Sequence, residues 1–230
     1  MKESVYKRVL RDTIPVMSGY LVLGIGFGMV LASRGYGVFW ALAMSVFIFA
    51  GSMQYVAIDL MTGGVSLITT ALTTLAVNAR HLFYGLSMIE KYKGVKKKPF
   101  LIFTLTDETY SLVVNDAGTV DVEDKNGYYF WVSALDYGYW VSGSVLGSLI
   151  GSVLPFDMTG IDFSLTALFI TVFVEQWLST KNHLAALTGV AASVLCLAIF
   201  GADDFLIPAM ILIAFALLMM RKKEGITNEQ

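Results

Sequence analysis

Apolar positions in this chain are grouped in long runs rather than spaced at the period of an amphipathic helix or strand. Residues 14–33 contain no charged side chain. At about 1.5 Å per residue, such a run crosses a hydrocarbon core of about 30 Å. Lys2, Lys7, Arg8 and Arg11 precede it, which predicts a first transmembrane helix with its N-terminus inside, not a cleaved leader. Further runs occupy residues 37–60, 65–89, 100–114, 128–154, 163–178, 183–200 and 205–220. The pattern predicts an all-α polytopic membrane protein of about six to eight hydrophobic helices, forming a single transmembrane domain over residues 1–230.

The polar punctuation sets the topology. Residues 91–98 hold five lysines, a segment that belongs in the cytoplasm, and Arg221-Lys222-Lys223 closes the last run on the same side. Both termini are therefore expected inside. Three hydrophobic runs lie between the basic N-terminus and the lysine loop, and an odd number of crossings would put that loop outside. One run must then fail to cross. Ala50-Gly51-Ser52 offers a break at which residues 37–60 could re-enter. Non-helical backbone at that depth is tolerated only where it is buried or lines a cavity, so the break is a candidate binding site.

Two stretches echo each other. Gly19-Tyr20 with Gly24 and Gly28 matches Gly138-Tyr139 with Gly143 and Gly147, and Phe47-Ile48 with Gln54-Tyr55 matches Phe169-Ile170 with Gln176-Trp177, both about 120 residues apart. These define candidate repeats over residues 14–90 and 128–200, linked by 91–127, with the second repeat starting from the outside. Inverted repeats with broken or re-entrant helices are a recurring plan of secondary transporters. Residues 163–178 would then be the counterpart of the broken second run. Gly24, Gly28, Gly143, Gly147 and Gly151 form small-residue faces suited to close helix packing.

Composition narrows the function. Hydrophobic residues make up 56% and charged residues 15%, too little charge for a water-facing surface. The net charge of −2 argues against a nucleic-acid partner, and the single Cys196 rules out a disulfide within the chain. There is no P-loop, HExxH or GxSxG, so no cofactor, metal or enzymatic centre is expected.

The candidate chemistry is polar groups inside apolar runs: Asp59, Arg80, Asp107, Glu108, Asp136 and Glu175. An ionised group at a helix centre costs about 2.5–3.5 kcal/mol, so these groups pair, face the interior or sit at the interface. Asp59 and Asp136 fit an interfacial position as well as an interior one. Arg80 is expected to pair with Asp107 or Glu108, or one of these carboxylates exchanges a proton or holds an ammonium. Gly51, Ser52, Gln54, Asn78 and Gln176 are candidate substrate-binding residues; Arg80, His81, Asp107, Glu108 and Glu175 are candidate proton or ion-pair groups.

Phe49-Ala50-Gly51-Ser52-Met53-Gln54-Tyr55, Asn78-Ala79-Arg80-His81, Thr106-Asp107-Glu108-Thr109-Tyr110 and Arg11-Asp12-Thr13-Ile14-Pro15 occur in this order. The set resembles the AzlC family, also called BrnF- or YgaZ-like, the large subunits of bacterial branched-chain amino acid exporters. The resemblance covers most of the chain, with its motifs in the first half. It implies export of leucine, isoleucine and valine, with methionine as a further candidate, from the cytoplasmic membrane of a bacterium. It also implies a small hydrophobic AzlD-like partner subunit. Combined with the polar groups above, it points to a proton-coupled carrier in which Gln54 and the backbone at Gly51-Ser52 meet the substrate carboxylate. Asp107 or Glu108 would meet the ammonium or a proton. The rival expectations are a channel for a small neutral solute and a non-transporting assembly subunit.

Overall fold

The structure is a computed structural model that describes residues 4–114, 124–153 and 183–227, with eight isolated positions between 163 and 178. Its helices are α1 (Val5–Ser33), α2 (Val38–Phe47), α3 (Gly51–Thr62), α4 (Leu67–Met88), α5 (Lys98–Phe103), α6 (Asp107–Val113), α7 (Lys125–Val153), α8 (Leu184–Asp204) and α9 (Leu206–Thr227). No strand occurs among the described residues. By length and composition, α1 and the Leu184–Gly201 part of α8 can each cross a membrane. The connector at 115–123 and half of run 163–178, the expected counterpart of the broken second run, lie outside the described residues.

The chain divides into two units, Met1–Ser66 with Val77–Leu168, and Leu67–Ala76 with Phe169–Gln230. In the first, α1 and α7 cross along glycine faces. A Cβ added at Gly24 would lie 3.0 Å from the Ser144 amide nitrogen, and one at Gly151 would lie 3.0 Å from Met29 Cα. The two backbones touch, as small-residue faces allow. Gly24 and Gly28 therefore pack on Gly143 and Gly147, their matches in the sequence echo.

Two apolar clusters fill this unit. One gathers Val9, Met88, Leu101, Val113, Tyr128 and Val132, and draws in Tyr92 from the lysine segment. Tyr92 stands edge-on to Tyr129 at 5.8 Å, and burial pushes its hydroxyl above its usual range. Lys97 sits over the Phe130 ring at 3.7 Å and enters α5 with a left-handed backbone, φ 63°. The segment is thereby anchored at both ends. The second cluster joins Tyr20, Phe27, Leu31, Met44, Phe49, Tyr55, Ile58 and Trp140.

The polarity is inverted relative to a water-soluble fold. Thr13, Gln54, Ser133, Asp136, Ser144 and Ser148 are fully buried, while Val22 is 70%, Phe39 75% and Phe47 78% exposed. Such an exterior suits hydrocarbon, and the buried polar groups then need internal partners.

The second run breaks as expected, but two residues earlier. Residues 48–50 interrupt it, and Gly51 and Ser52 open α3. Phe49 takes φ 43°, a left-handed conformation uncommon for a bulky residue. Its ring is held against Tyr137 at 4.9 Å. The Tyr137 hydroxyl donates to the Val46 carbonyl at 3.0 Å, satisfying an acceptor that the break would otherwise orphan. Run 100–114 also breaks, at residues 104–106, which the sequence reading did not anticipate.

In the second unit, Ala192, Cys196 and Ala209 are buried, and the Thr188 hydroxyl donates to the Leu184 carbonyl at 2.7 Å. Gly201, at φ 77°, kinks α8. His183 stacks on Trp177 with 4.0 Å between ring centroids, beside a cavity of about 590 Å³.

Candidate functional site

Three segments of the first unit meet at Arg80. Its α4 position puts one guanidinium nitrogen, Nη1, on the Asp107 carboxylate, and the other, Nη2, donates to Ser52 Oγ at 2.6 Å. Asp107 is the first residue of α6 and Ser52 the second of α3. Arg80 therefore bridges the N-termini of the two half-helices that follow the breaks. The Arg80 and Asp107 side chains keep 29% and 21% of their exposure. A planar guanidinium suits this two-way bridge better than an ammonium would. Of the two expected partners, Asp107 takes the ion pair and Glu108 does not.

Both half-helix ends carry unmet capacity. Ala50 caps α3 without a side-chain hydrogen bond, and the first backbone bond of that turn runs from the Gln54 amide to the Ala50 carbonyl at 2.8 Å. The amides of Gly51, Ser52 and Met53 precede it and have no intrahelical acceptor, so this end favours an anion. At α6, Thr106 is the N-cap, accepting from the Thr109 amide at 3.3 Å, and Asp107 and Glu108 fill the first turn. Asn78 Oδ1, Arg80 Nε and Asp107 Oδ1 are buried atoms without a hydrogen-bond partner.

Beside this bridge, Tyr20 of α1 donates to Glu108 Oε2 at 2.8 Å and lies 2.6 Å from Thr106 Oγ1. Thr106 Oγ1 is 3.2 Å from Thr109 Oγ1, which donates to Asp136 Oδ2 at 2.8 Å. Asp136 is fully buried in the middle of α7, so the interfacial alternative for it does not hold. The Thr109 hydroxyl of α6 supplies a hydrogen bond that a water interface would have supplied. Asp59 is exposed near the end of α3, as an interfacial position requires.

Gln54 is fully buried and its amide is engaged at both ends: Nε2 donates to Ser45 Oγ at 3.2 Å, and Oε1 accepts from Trp140 Nε1 at 2.8 Å. Gly51 lies against the same indole, where an added Cβ would fall 2.8 Å from Cη2. Gln54 thus holds the wall behind the break. Tyr55 donates to the Leu23 carbonyl at 2.8 Å. His81 stands edge-on to Tyr84 at 6.0 Å and takes no part in the bridge. Glu175 and Gln176 lie outside the described residues.

The structure therefore gathers Gly51, Ser52, Arg80, Asp107 and Glu108 and adds Tyr20, Thr106, Thr109, Asp136 and Trp140. Thr106 was legible in principle: Thr-Asp-Glu at a helix start is an N-terminal signature. Nothing in the sequence pointed to Tyr20 or Trp140, ordinary aromatics in apolar runs.

An apolar exterior, buried polar groups and polar half-helix ends define a helical membrane protein with a polar centre. Residues 15–154, from α1 to the end of α7, match the family model described as AzlC protein, and the chain belongs to the AzlC family. It is 44% identical over 212 residues to the branched-chain amino acid transport protein AzlC of Bacillus subtilis, covering 91% of this chain and 83% of that protein. It is 42% identical to an uncharacterized membrane protein of Helicobacter pylori, over 95% of this chain and 96% of that one. The inner membrane protein YgaZ of Escherichia coli is 27% identical, over 80% of this chain and 79% of that one. No solved structure matches.

Proposed function

We propose that the chain exports branched-chain amino acids across the bacterial cytoplasmic membrane, coupled to protons and working with a small AzlD-like hydrophobic subunit. The substrate class is taken from the Bacillus subtilis relative, whose name states branched-chain amino acid transport. The observation that carries the mechanism is the Arg80 bridge between the ends of α3 and α6. A zwitterionic substrate presents opposite charges on one carbon. Its carboxylate fits the free amides of α3 with Ser52 and Arg80. Its ammonium fits Asp107 Oδ1 and Asn78 Oδ1, both buried without partners. Substrate would thus compete for the Arg80–Asp107 pair, and its side chain needs only apolar walls. Gln54, which the sequence reading placed on the carboxylate, serves here by fixing Trp140 and Ser45.

The test is efflux of preloaded labelled leucine from cells expressing the chain, with and without the small partner. Saturable efflux that collapses with the proton gradient is expected. No efflux of leucine, isoleucine, valine or methionine, with membrane insertion verified and partner present, would refute the assignment. Non-saturable flux indifferent to the gradient would favour a channel.

A further inference from the structure

Five side-chain oxygens stand in series: Glu108 Oε2, Tyr20 OH, Thr106 Oγ1, Thr109 Oγ1 and Asp136 Oδ2. The successive separations are 2.8, 2.6, 3.2 and 2.8 Å, all within hydrogen-bond range. Each link needs one proton between its oxygens. The three hydroxyls bring three protons, and an ionised carboxylate brings none. With both carboxylates ionised, one of the four links would set lone pair against lone pair. With both protonated, one link would hold two protons. One extra proton, on Glu108 or on Asp136, bonds the whole series.

We infer that Glu108 and Asp136 share a single proton, handed between them through Tyr20, Thr106 and Thr109. This rests on the transport reading for its purpose, though not for its geometry. In one state Asp136 donates to Thr109, Thr109 to Thr106, Thr106 to Tyr20 and Tyr20 to ionised Glu108. In the other every donor and acceptor is reversed. To pass between them, four O–H bonds break and four form, one at each link. The proton leaves Asp136, a different proton arrives at Glu108, and no heavy atom changes partner.

The surroundings differ at the two ends. Glu108 faces Asp107 and Arg80, which pair with each other, and Tyr84 of α4. Asp136 faces Glu108, Tyr20 of α1 and Tyr128 of its own helix, and has no cation partner among the described residues. Its second oxygen, Oδ1, is buried without a partner, as is Ser133 Oγ one turn away on α7. Asp136 is thus the dry end of the relay. Glu108, one residue from the ion pair that substrate would open, is the end that senses substrate. Wiring one proton to that pair is what a coupled carrier requires.

Infrared spectroscopy of the purified full chain at neutral pH, without substrate, tests the sharing. The wild type should show the carbonyl band of one protonated carboxyl, shifting in deuterium oxide. In Asp136→Asn the new amide can donate into the series, which then runs to an ionised Glu108 with no carboxyl proton. Glu108→Gln does the same from the other end. Each single variant should therefore lose the whole band. Loss of half the band in each would mean two independent acids and overturn the sharing. Absence of the band in the wild type would overturn it without any variant. In proteoliposomes, Tyr20→Phe cuts the series and should lower proton-driven leucine flux at least tenfold; wild-type flux would overturn the relay. If the wild type, with its small partner present, moves none of leucine, isoleucine, valine or methionine yet the band behaves as stated, the substrate assignment fails and the shared proton stands.

Discussion

The glycine crossing of α1 and α7 makes opposite predictions for two glycine-to-alanine changes on one helix. A Cβ at Gly147 would lie 2.6 Å from Ile25 Cα and 2.7 Å from its carbonyl carbon. Carbon atoms pack at about 3.5–4.0 Å, so the shortfall is about 1 Å. The obstructing atoms are backbone and cannot rotate aside. The helices must part, and overpacking of this kind costs about 1–3 kcal/mol. Gly138, on the same helix, has nothing within 4 Å of an added Cβ. There the usual helix preference applies, and alanine should stabilise by about 0.5–1 kcal/mol. Thermal unfolding of the purified chain in mild detergent measures both. At about 2–4 °C per kcal/mol for a chain of this size, Gly147→Ala should lower the midpoint by about 2–12 °C and Gly138→Ala should raise it by a few degrees. A Gly147→Ala midpoint at or above that of Gly138→Ala would refute the backbone contact.

The Arg80 bridge predicts that Arg80→Lys is not conservative. One ammonium cannot hold Ser52 and Asp107 in the same fork, so flux should fall about tenfold or more, the equivalent of about 1.4 kcal/mol; retained flux would remove the bridge from the site. Trp140→Phe leaves Gln54 Oε1 buried without its donor and should destabilise by about 1–3 kcal/mol. Adding Gln54→Leu should recover part of that loss, and strict additivity in unfolding measurements would show that the two side chains are not coupled.

How much was legible follows from what each feature needs. The first break was legible through parity and a glycine, because the positive-inside rule counts crossings and Gly51 offered a place to stop. Its position was off by two residues, since Gly51 is there to clear the Trp140 ring, while Phe49 takes the left-handed backbone. The second break was hidden because Thr104-Leu105-Thr106 contains no glycine or proline, and the interruption is made by the Thr106 cap. The ion pair could be guessed from two charged runs joined by a short loop, yet the choice of Asp107 over Glu108 depends on Tyr20, which lies 88 residues from Glu108 in sequence. Asp136 looked ambiguous because burial of a carboxylate depends on partners from other helices, and Thr109 is one of them.

The backbone contact between α1 and α7 also fixes where motion can occur. Where the glycine faces meet, backbone lies on backbone and there is no side chain to re-pack. Sliding one helix by a single residue, about 1.5 Å, would drive peptide groups into each other. The pair therefore behaves as a keel. The proposed carrier has to open its centre first to one side of the membrane and then to the other, and with the keel fixed that stroke would fall to the short segments α2, α3, α5 and α6. They meet end to end at the two breaks, and Arg80 ties α3 and α6 to each other. Cargo that loosens this tie would release the blades, while the keel keeps its alignment in the membrane.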